Sequence, residues 1–349
     1  MMERKVLKWT TWSFMILTVV MCATFALIPV LNEDFFAGIS AIPDKIFKEQ
    51  EKPVQIDEND TVVLDENKLN IQIPAGLQGK DVKISTDYIQ STVYVRFAKA
   101  VADYSEKYIV QGSSDHIANM SYYKEGEAGI LEIKLDKSYE PVYSFKDGFL
   151  CMEFQDLHEI YEKVIVIDAG HGGSQPGAVK KEIYEKNLNL QIVLKLKALL
   201  DEVDEKKIKV FYTRLDDSNP ALKERVGMAN TLEADLFISV HNNASATGKF
   251  TDLNGTMVLY NPNLPGDVSK RLAEICLANV NASTGSKNLG LVKAEDIHIV
   301  RRSKVPVALI EVGYMTNVKE LDNLCSEAYQ KKAAKGIYNA IMQAFEEGF

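Results

Sequence analysis

From Lys163 onward the sequence alternates apolar, strand-like runs with helical repeats, and that alternation constrains the fold more than any other feature of the chain. VIVID at 164–168, VFYTR at 210–214, LFISV at 236–240, TMVLY at 256–260 and VALIEV at 307–312 are short and rich in β-branched and aromatic residues. Between the first two, Leu188, Ile192, Leu196 and Leu199 recur at helical spacing, and further helical stretches fall at 221–230, 269–280 and 328–345. A strand that is apolar along its whole length must be covered on both faces. The pattern therefore predicts an α/β fold over 163–349, a mostly parallel sheet in a three-layer α/β/α arrangement. In such sheets ligands bind beyond the C-terminal strand ends, so the polar residues there carry the functional question.

The preceding half has a different rhythm. Within 56–157, stretches starting at Leu69, Val82, Ser91, Ile130 and Phe149 alternate with period two and are separated by turn signals such as Gly79-Lys80, Gly112-Ser113 and Gly126-Glu127. This predicts an antiparallel, β-sandwich-like domain. Residues 32–55, with Pro43 and Pro53 among mixed charges, read as a stalk. Residues 9–31 contain no charged side chain, follow a basic end (1–8) carrying Arg4, Lys5 and Lys8, and precede Glu33 and Asp34. That run is long enough to span a hydrocarbon core of about 30 Å, and the charge asymmetry predicts a single transmembrane signal anchor with the bulk of the chain outside the cytoplasm. The competing reading is a signal peptide cut near Ala26, which would release the protein outside the cytoplasm.

Composition narrows the classes further. A net charge of −9 argues against nucleic acid as a partner, since affinity for phosphate backbones needs a basic face. With Cys22 in the apolar run, Cys151, Cys276 and Cys325 form an odd exported set without CxxC spacing, and they read as small apolar residues rather than a disulfide framework.

The strand ends carry an unusual set. VIVID runs into a glycine turn that presents His171, LFISV runs into His241, VALI runs into Glu311, and Glu185 opens the helix after the glycine loop. Two histidines and a carboxylate suit Zn2+, whose catalytic sites keep three protein ligands. Glu311 is placed to accept a proton from water and pass it to a leaving amine. Asp168 is a candidate to orient His171 through its second ring nitrogen. Arg301 and Arg302, just upstream of the strand that carries Glu311, are candidate clamps for substrate carboxylates.

Together, DAGHGG at 168–173, EKNLNL at 185–190, Thr213-Arg214, LKERVGMAN at 222–230, ADLFISVHNNA at 234–244 and PVALIEVGYMTN at 306–317 resemble the zinc-dependent N-acetylmuramoyl-L-alanine amidases of bacterial cell walls (amidase type 3). The resemblance spans 163–349 with the motifs in the family's order. It implies that His171, Glu185 and His241 are metal ligands and Glu311 the catalytic glutamate, with Glu182 a nearby rival for the carboxylate ligand. It also implies peptidoglycan as substrate and hydrolysis of the amide between N-acetylmuramic acid and L-alanine. Tyr314 stands where the family usually has Phe, and no long amphipathic insert separates His241 from Glu311. The β-rich domain resembles AMIN-type wall-targeting domains in strand pattern and position, and its protein partner is unspecified. Two other functions fit parts of the pattern: a catalytically silent wall-binding scaffold, and a zinc peptidase acting within stem peptides, although no HExxH is present.

Overall fold

A computed structural model of the chain describes residues 68–349. The expected basic end, anchor and stalk, with the first residues of the β-rich region, lie outside the described residues. Among the described residues no helix is long and apolar enough to cross a membrane.

The first part is built from β1 (Lys68–Gln72), β2 (Val82–Asp87), β3 (Thr92–Phe97), β4 (Val110–Gly112), β5 (Ile117–Glu125), β6 (Ala128–Leu135), β7 (Glu140–Lys146) and β8 (Phe149–Gln155), with a single helical turn α1 (Tyr104–Lys107). They form two antiparallel four-stranded sheets, ordered β4-β1-β8-β7 and β2-β3-β6-β5. Period-two alternation explains their packing. Val93, Val95 and Phe97 of β3 and Leu131 and Ile133 of β6 face Leu69, Ile71, Leu150 and Met152 of the other sheet in one buried cluster. Each such side chain contributes about 1.5–3 kcal/mol of burial.

After the short helix α2 (Leu157–Ile160) come β9 (Lys163–Ala169), the small strands β10 (Val179–Lys180) and β11 (Ile183–Tyr184), α3 (Glu185–Leu200), β12 (Ile208–Tyr212), α4 (Leu222–Thr231), β13 (Leu236–Asn243), β14 (Thr256–Tyr260), α5 (Val268–Thr284), β15 (Asn288–Lys293), α6 (His298–Arg301), β16 (Val307–Tyr314), α7 (Val318–Cys325) and α8 (Glu327–Glu346). The main sheet has the order β12-β9-β13-β16-β14-β15. β12, β9, β13 and β16 run parallel, whereas β14 and its parallel neighbour β15 run antiparallel to them. The sheet is thus mostly parallel, with a reversed pair at one edge.

Both faces are covered, as the continuous apolar runs require. Ile165, Ile167, Ile238 and Ile310 pack with Leu188, Ile192 and Leu196 of α3 and with residues of α5 and α8. Val164, Val166, Phe237 and Leu309 point the other way, to Val226 and Ala229 of α4 and Ile299 and Val300 of α6. The sandwich meets this domain along the edge strand β12. The Tyr88 ring meets Phe211 edge-on at 4.5 Å between centroids. Its hydroxyl donates to Glu140 Oε2 at 2.9 Å, and Lys209 Nζ lies 4.0 Å from the same oxygen.

Candidate active site

The rim at the C-terminal strand ends is assembled from β9, β13, β16 and α3. After Ala169 the chain turns sharply, and His171 adopts φ +61, the left-handed region that L residues avoid without external support. Support comes from two buried arginines. Arg225 of α4 donates from Nη1 to the Ala169 carbonyl at 2.8 Å and from Nη2 to the His171 carbonyl at 2.7 Å. Arg214 donates from Nε to the Ala169 carbonyl and from Nη2 to the Gly170 carbonyl, both at 2.8 Å. Burial, with Arg225 close by, pulls the Arg214 guanidinium down to about 10, so it stays charged at neutral pH. Three consecutive carbonyls of the turn are tied down, and His171 is aimed back over the sheet.

Glu185, the first residue of α3, is buried beneath the two histidines. Its Oε2 lies 3.2 Å from His171 Nε2 and accepts from the Ala178 N–H at 2.8 Å. Its Oε1 lies 3.0 Å from His241 Nδ1 and accepts from the Asn242 N–H at 3.2 Å and from Asn189 Nδ2 at 3.3 Å. Burial alone would raise this carboxyl, but the bonds to His171 and His241 overcome it and hold the group well below the usual carboxylate range. Donor atoms of His171, Glu185 and His241 all fall within 4.8 Å of one another. Glycines make the approach possible. A Cβ on Gly170 would lie 2.2 Å from His241 Nε2, and one on Gly177, where φ is +67, would lie 2.4 Å from Glu185 Oε2.

Glu311 stands directly beside His241 in the β13–β16 register. Its Oε2 is buried with no hydrogen-bond partner. Burial pushes this carboxyl up to about 7, partly opposed by His241 and reinforced by the Glu185 charge. A buried carboxylate oxygen with no partner is costly, and such groups concentrate where chemistry uses them.

Three expectations need correction or refinement. Asp168 does not reach His171. Along β9 its side chain shares the face of Val164 and Val166, toward α4, and both its oxygens are taken: Oδ1 by Thr213 Oγ1 at 2.6 Å and Arg225 Nη1 at 2.7 Å, Oδ2 by Ser239 Oγ at 2.6 Å. Arg301 and Arg302 end α6, next to the start of β16, while Glu311 lies toward its other end; they are exposed at the edge of the sheet opposite the rim. Glu182 sits exposed in the turn between β10 and β11 and takes no part in the histidine cluster. Sequence reasoning missed Arg214, Arg225, Asn189 and Gly177. The arginines lie inside the quoted strings Thr213-Arg214 and LKERVGMAN, but a charged residue in a helical stretch reads as surface until its partners are known.

An α/β sheet that delivers two histidines and two glutamates to one rim defines a class of hydrolase-like domain with a metal-type donor set. A family model described as N-acetylmuramoyl-L-alanine amidase matches residues 165–343, and the chain belongs to that family. It is 34% identical over 193 residues to the uncharacterized protein YqiI of Bacillus subtilis (strain 168), an alignment covering 55% of this chain and 90% of YqiI. It is 31% identical to the N-acetylmuramoyl-L-alanine amidase LytC of the same strain, covering 52% of this chain but only 36% of LytC. A crystal structure of the N-acetylmuramoyl-L-alanine amidase from Clostridium difficile 630 superposes with a TM-score of 0.50 at 32% identity, covering 54% of this chain and 98% of that one.

Proposed function

We propose that this chain hydrolyses the amide joining the lactyl group of N-acetylmuramic acid to the L-alanine of the peptidoglycan stem peptide, with His171, Glu185 and His241 holding Zn2+ and Glu311 moving the proton. The observation that carries this reading is the partnerless Glu311 oxygen beside a His–Glu–His donor set on the same rim. The donor set fits the metal. Two imidazoles and an ionised carboxylate are a zinc complement, and the glycines at 170 and 177 leave the space it needs. When bound, zinc polarises a carbonyl oxygen and lowers the pKa of water.

The remaining work falls to side chains of this protein. Glu185 fixes the facing nitrogens of both histidines. Arg225 and Arg214 hold the His171 turn against its backbone strain. Glu311, raised toward neutrality by burial, takes a proton from the attacking water at its free Oε2 and delivers it to the departing alanine nitrogen. The uncharged run at 9–31 and its basic flank support the further proposal that an anchor keeps this chemistry on the outer side of a membrane. The strand pattern supports a wall-targeting role for the sandwich.

Digestion of purified peptidoglycan with and without a chelator, followed by mass analysis of the fragments, tests the reading. Intact stem peptides with new N-terminal alanine, lost on chelation, are expected. Cuts between stem residues would instead indicate a peptidase, and no cleavage by zinc-loaded protein would indicate a silent scaffold. Glu311→Gln is expected to lower kcat by about 10²–10⁴-fold, the usual worth of a positioned acid–base group, with bound zinc retained.

A further inference from the structure

One inward position of α3 breaks the helix's pattern. Beyond Glu185 the helix buries Leu188, Ile192, Val193, Leu196 and Leu200, all aliphatic, and among them Asn189, which is 0% exposed. Asparagine is a poorer helix former than leucine, and an amide taken out of water is costly unless it is bonded. Four residues after Glu185, it lies on the same face of the helix one turn further on.

The bonds of this one amide reach all three segments that carry the histidine–glutamate donor set. Asn189 Nδ2 donates to the carbonyl of Gly170, just before His171, at 3.1 Å and to Glu185 Oε1 at 3.3 Å. Asn189 Oδ1 accepts from Nδ2 of Asn242, just after His241, at 2.7 Å. Chemistry fixes the direction of this chain of bonds. A carbonyl and an ionised carboxylate can only accept, so the NH2 of Asn189 must face them and its oxygen must face Asn242. Asn242 must then present its own NH2, and its Oδ1 is left buried without a partner. That oxygen is an unmet cost, carried by a residue whose backbone N–H also donates to Glu185 Oε1 at 3.2 Å. An aliphatic pair at 189 and 242 would carry no such cost, but it would leave Gly170, Glu185 and Asn242 untied from one another.

We propose that Asn189 is a positioning residue for Glu185, itself held in the working orientation by Asn242, and that this pair sets how tightly the donor set takes its metal; the proposal rests on the reading of His171, Glu185 and His241 as zinc ligands. Held at Oε1 by Asn189 and by the Asn242 N–H, the carboxylate is kept from turning about its Cγ–Cδ bond. The bond to Gly170 ties the start of the His171 turn to the same amide.

The test uses the full chain as wild type, Asn189→Leu, Asn189→Asp and Asn242→Leu, each checked for folding by circular dichroism. Leucine removes the Asn189 amide at similar volume, whereas aspartate keeps an acceptor for Asn242 and loses the donor to Gly170 and Glu185. Zinc affinity, measured by chelator competition, is expected to fall about 10–100-fold in both Asn189 variants. Asn242→Leu is expected to weaken zinc by a smaller factor, because Asn189 keeps its donor but is free to turn. The variant carrying both Asn189→Leu and Asn242→Leu is expected to bind zinc as Asn189→Leu alone does, since Asn242 acts through Asn189. Loading with Co2+ supplies a readout that a packing role would not move: its visible d–d bands depend on ligand arrangement and are expected to shift in position or intensity in all three single variants. An unchanged cobalt spectrum in the folded variants overturns the proposal, with or without a loss of zinc affinity, and so do losses that multiply in the double variant. If both Asn189 variants unfold, Asn242→Leu decides by the same affinity and spectrum. New alanine N-termini from the wild-type digest, with zinc binding indifferent to Asn189 and Asn242, would overturn the positioning role alone. Zinc binding that depends on Asn189 without any new alanine N-termini would overturn amide cleavage and leave the positioning role standing. A wild type that takes neither metal overturns both.

Discussion

A single methyl group tests the donor set. Gly170→Ala places a carbon where His241 Nε2 now lies 2.2 Å away, so the ring must swing out of line with Glu185. Zinc affinity, measured by chelator competition, is expected to fall about 10–100-fold, the scale seen when groups that orient ligands are disturbed. Arg225→Met makes a different demand. It strips Asp168 of its ion-pair partner in a site where both side chains are almost fully buried, 2% and 0% exposed. Urea unfolding is expected to show a loss of about 3–5 kcal/mol. Arg225→Lys is not expected to restore it, because an ammonium cannot reach Asp168 and the Ala169 and His171 carbonyls together. At this scale the residues of the His–Glu–His cluster were legible because each stands where an apolar run stops or a helix starts. Asp168 was misassigned because adjacency to a histidine in sequence says nothing about side-chain direction, which along β9 alternates. The role of Arg225 depends on carbonyls contributed by a strand more than fifty residues earlier in the chain, and no local pattern carries that.

Legibility among the elements followed burial. β9 and β13 are buried on both faces, and α3 repeats its core residues at helical intervals, so hydrophobic pattern alone located them. β5 (IANMSYYKE) is an edge strand exposed along nearly its whole length, and β15 (NLGLVK) has no fully buried residue. Neither offers the alternation by which a strand is recognised. The reversal of β14 and β15 is a property of connections rather than of strand composition, so a parallel direction was the natural expectation for them. α7 is only eight residues long and was passed over, although its start is well marked: Asn317 Oδ1 accepts from the Lys319 and Glu320 N–H groups. Asn317→Ala is expected to cost about 1 kcal/mol in thermal or chemical denaturation.

For the molecule as a whole, the contact between sandwich and catalytic domain is small but specific. Tyr88 fills it with an aromatic edge against Phe211 and a hydroxyl on Glu140, while Lys209 sits over the Tyr161 ring at 4.8 Å. Tyr88→Ala removes the ring and leaves Glu140 short of a donor, a combined loss of about 3–5 kcal/mol. Differential scanning calorimetry is expected to show one unfolding transition in the wild type and two in this variant, as the parts lose their coupling. The contact also has a spatial meaning. It holds the edge strand β12 at Lys209 and Phe211, level with Val164 and Val166 of β9, whereas His171 lies beyond the end of β9 and His241 and Glu311 lie in the C-terminal halves of β13 and β16. The seat of the sandwich is thus two strands along the sheet from the strand that carries His241. A pull on the sandwich would therefore reach His241 through hydrogen-bonded backbone, strand by strand, rather than through a loop.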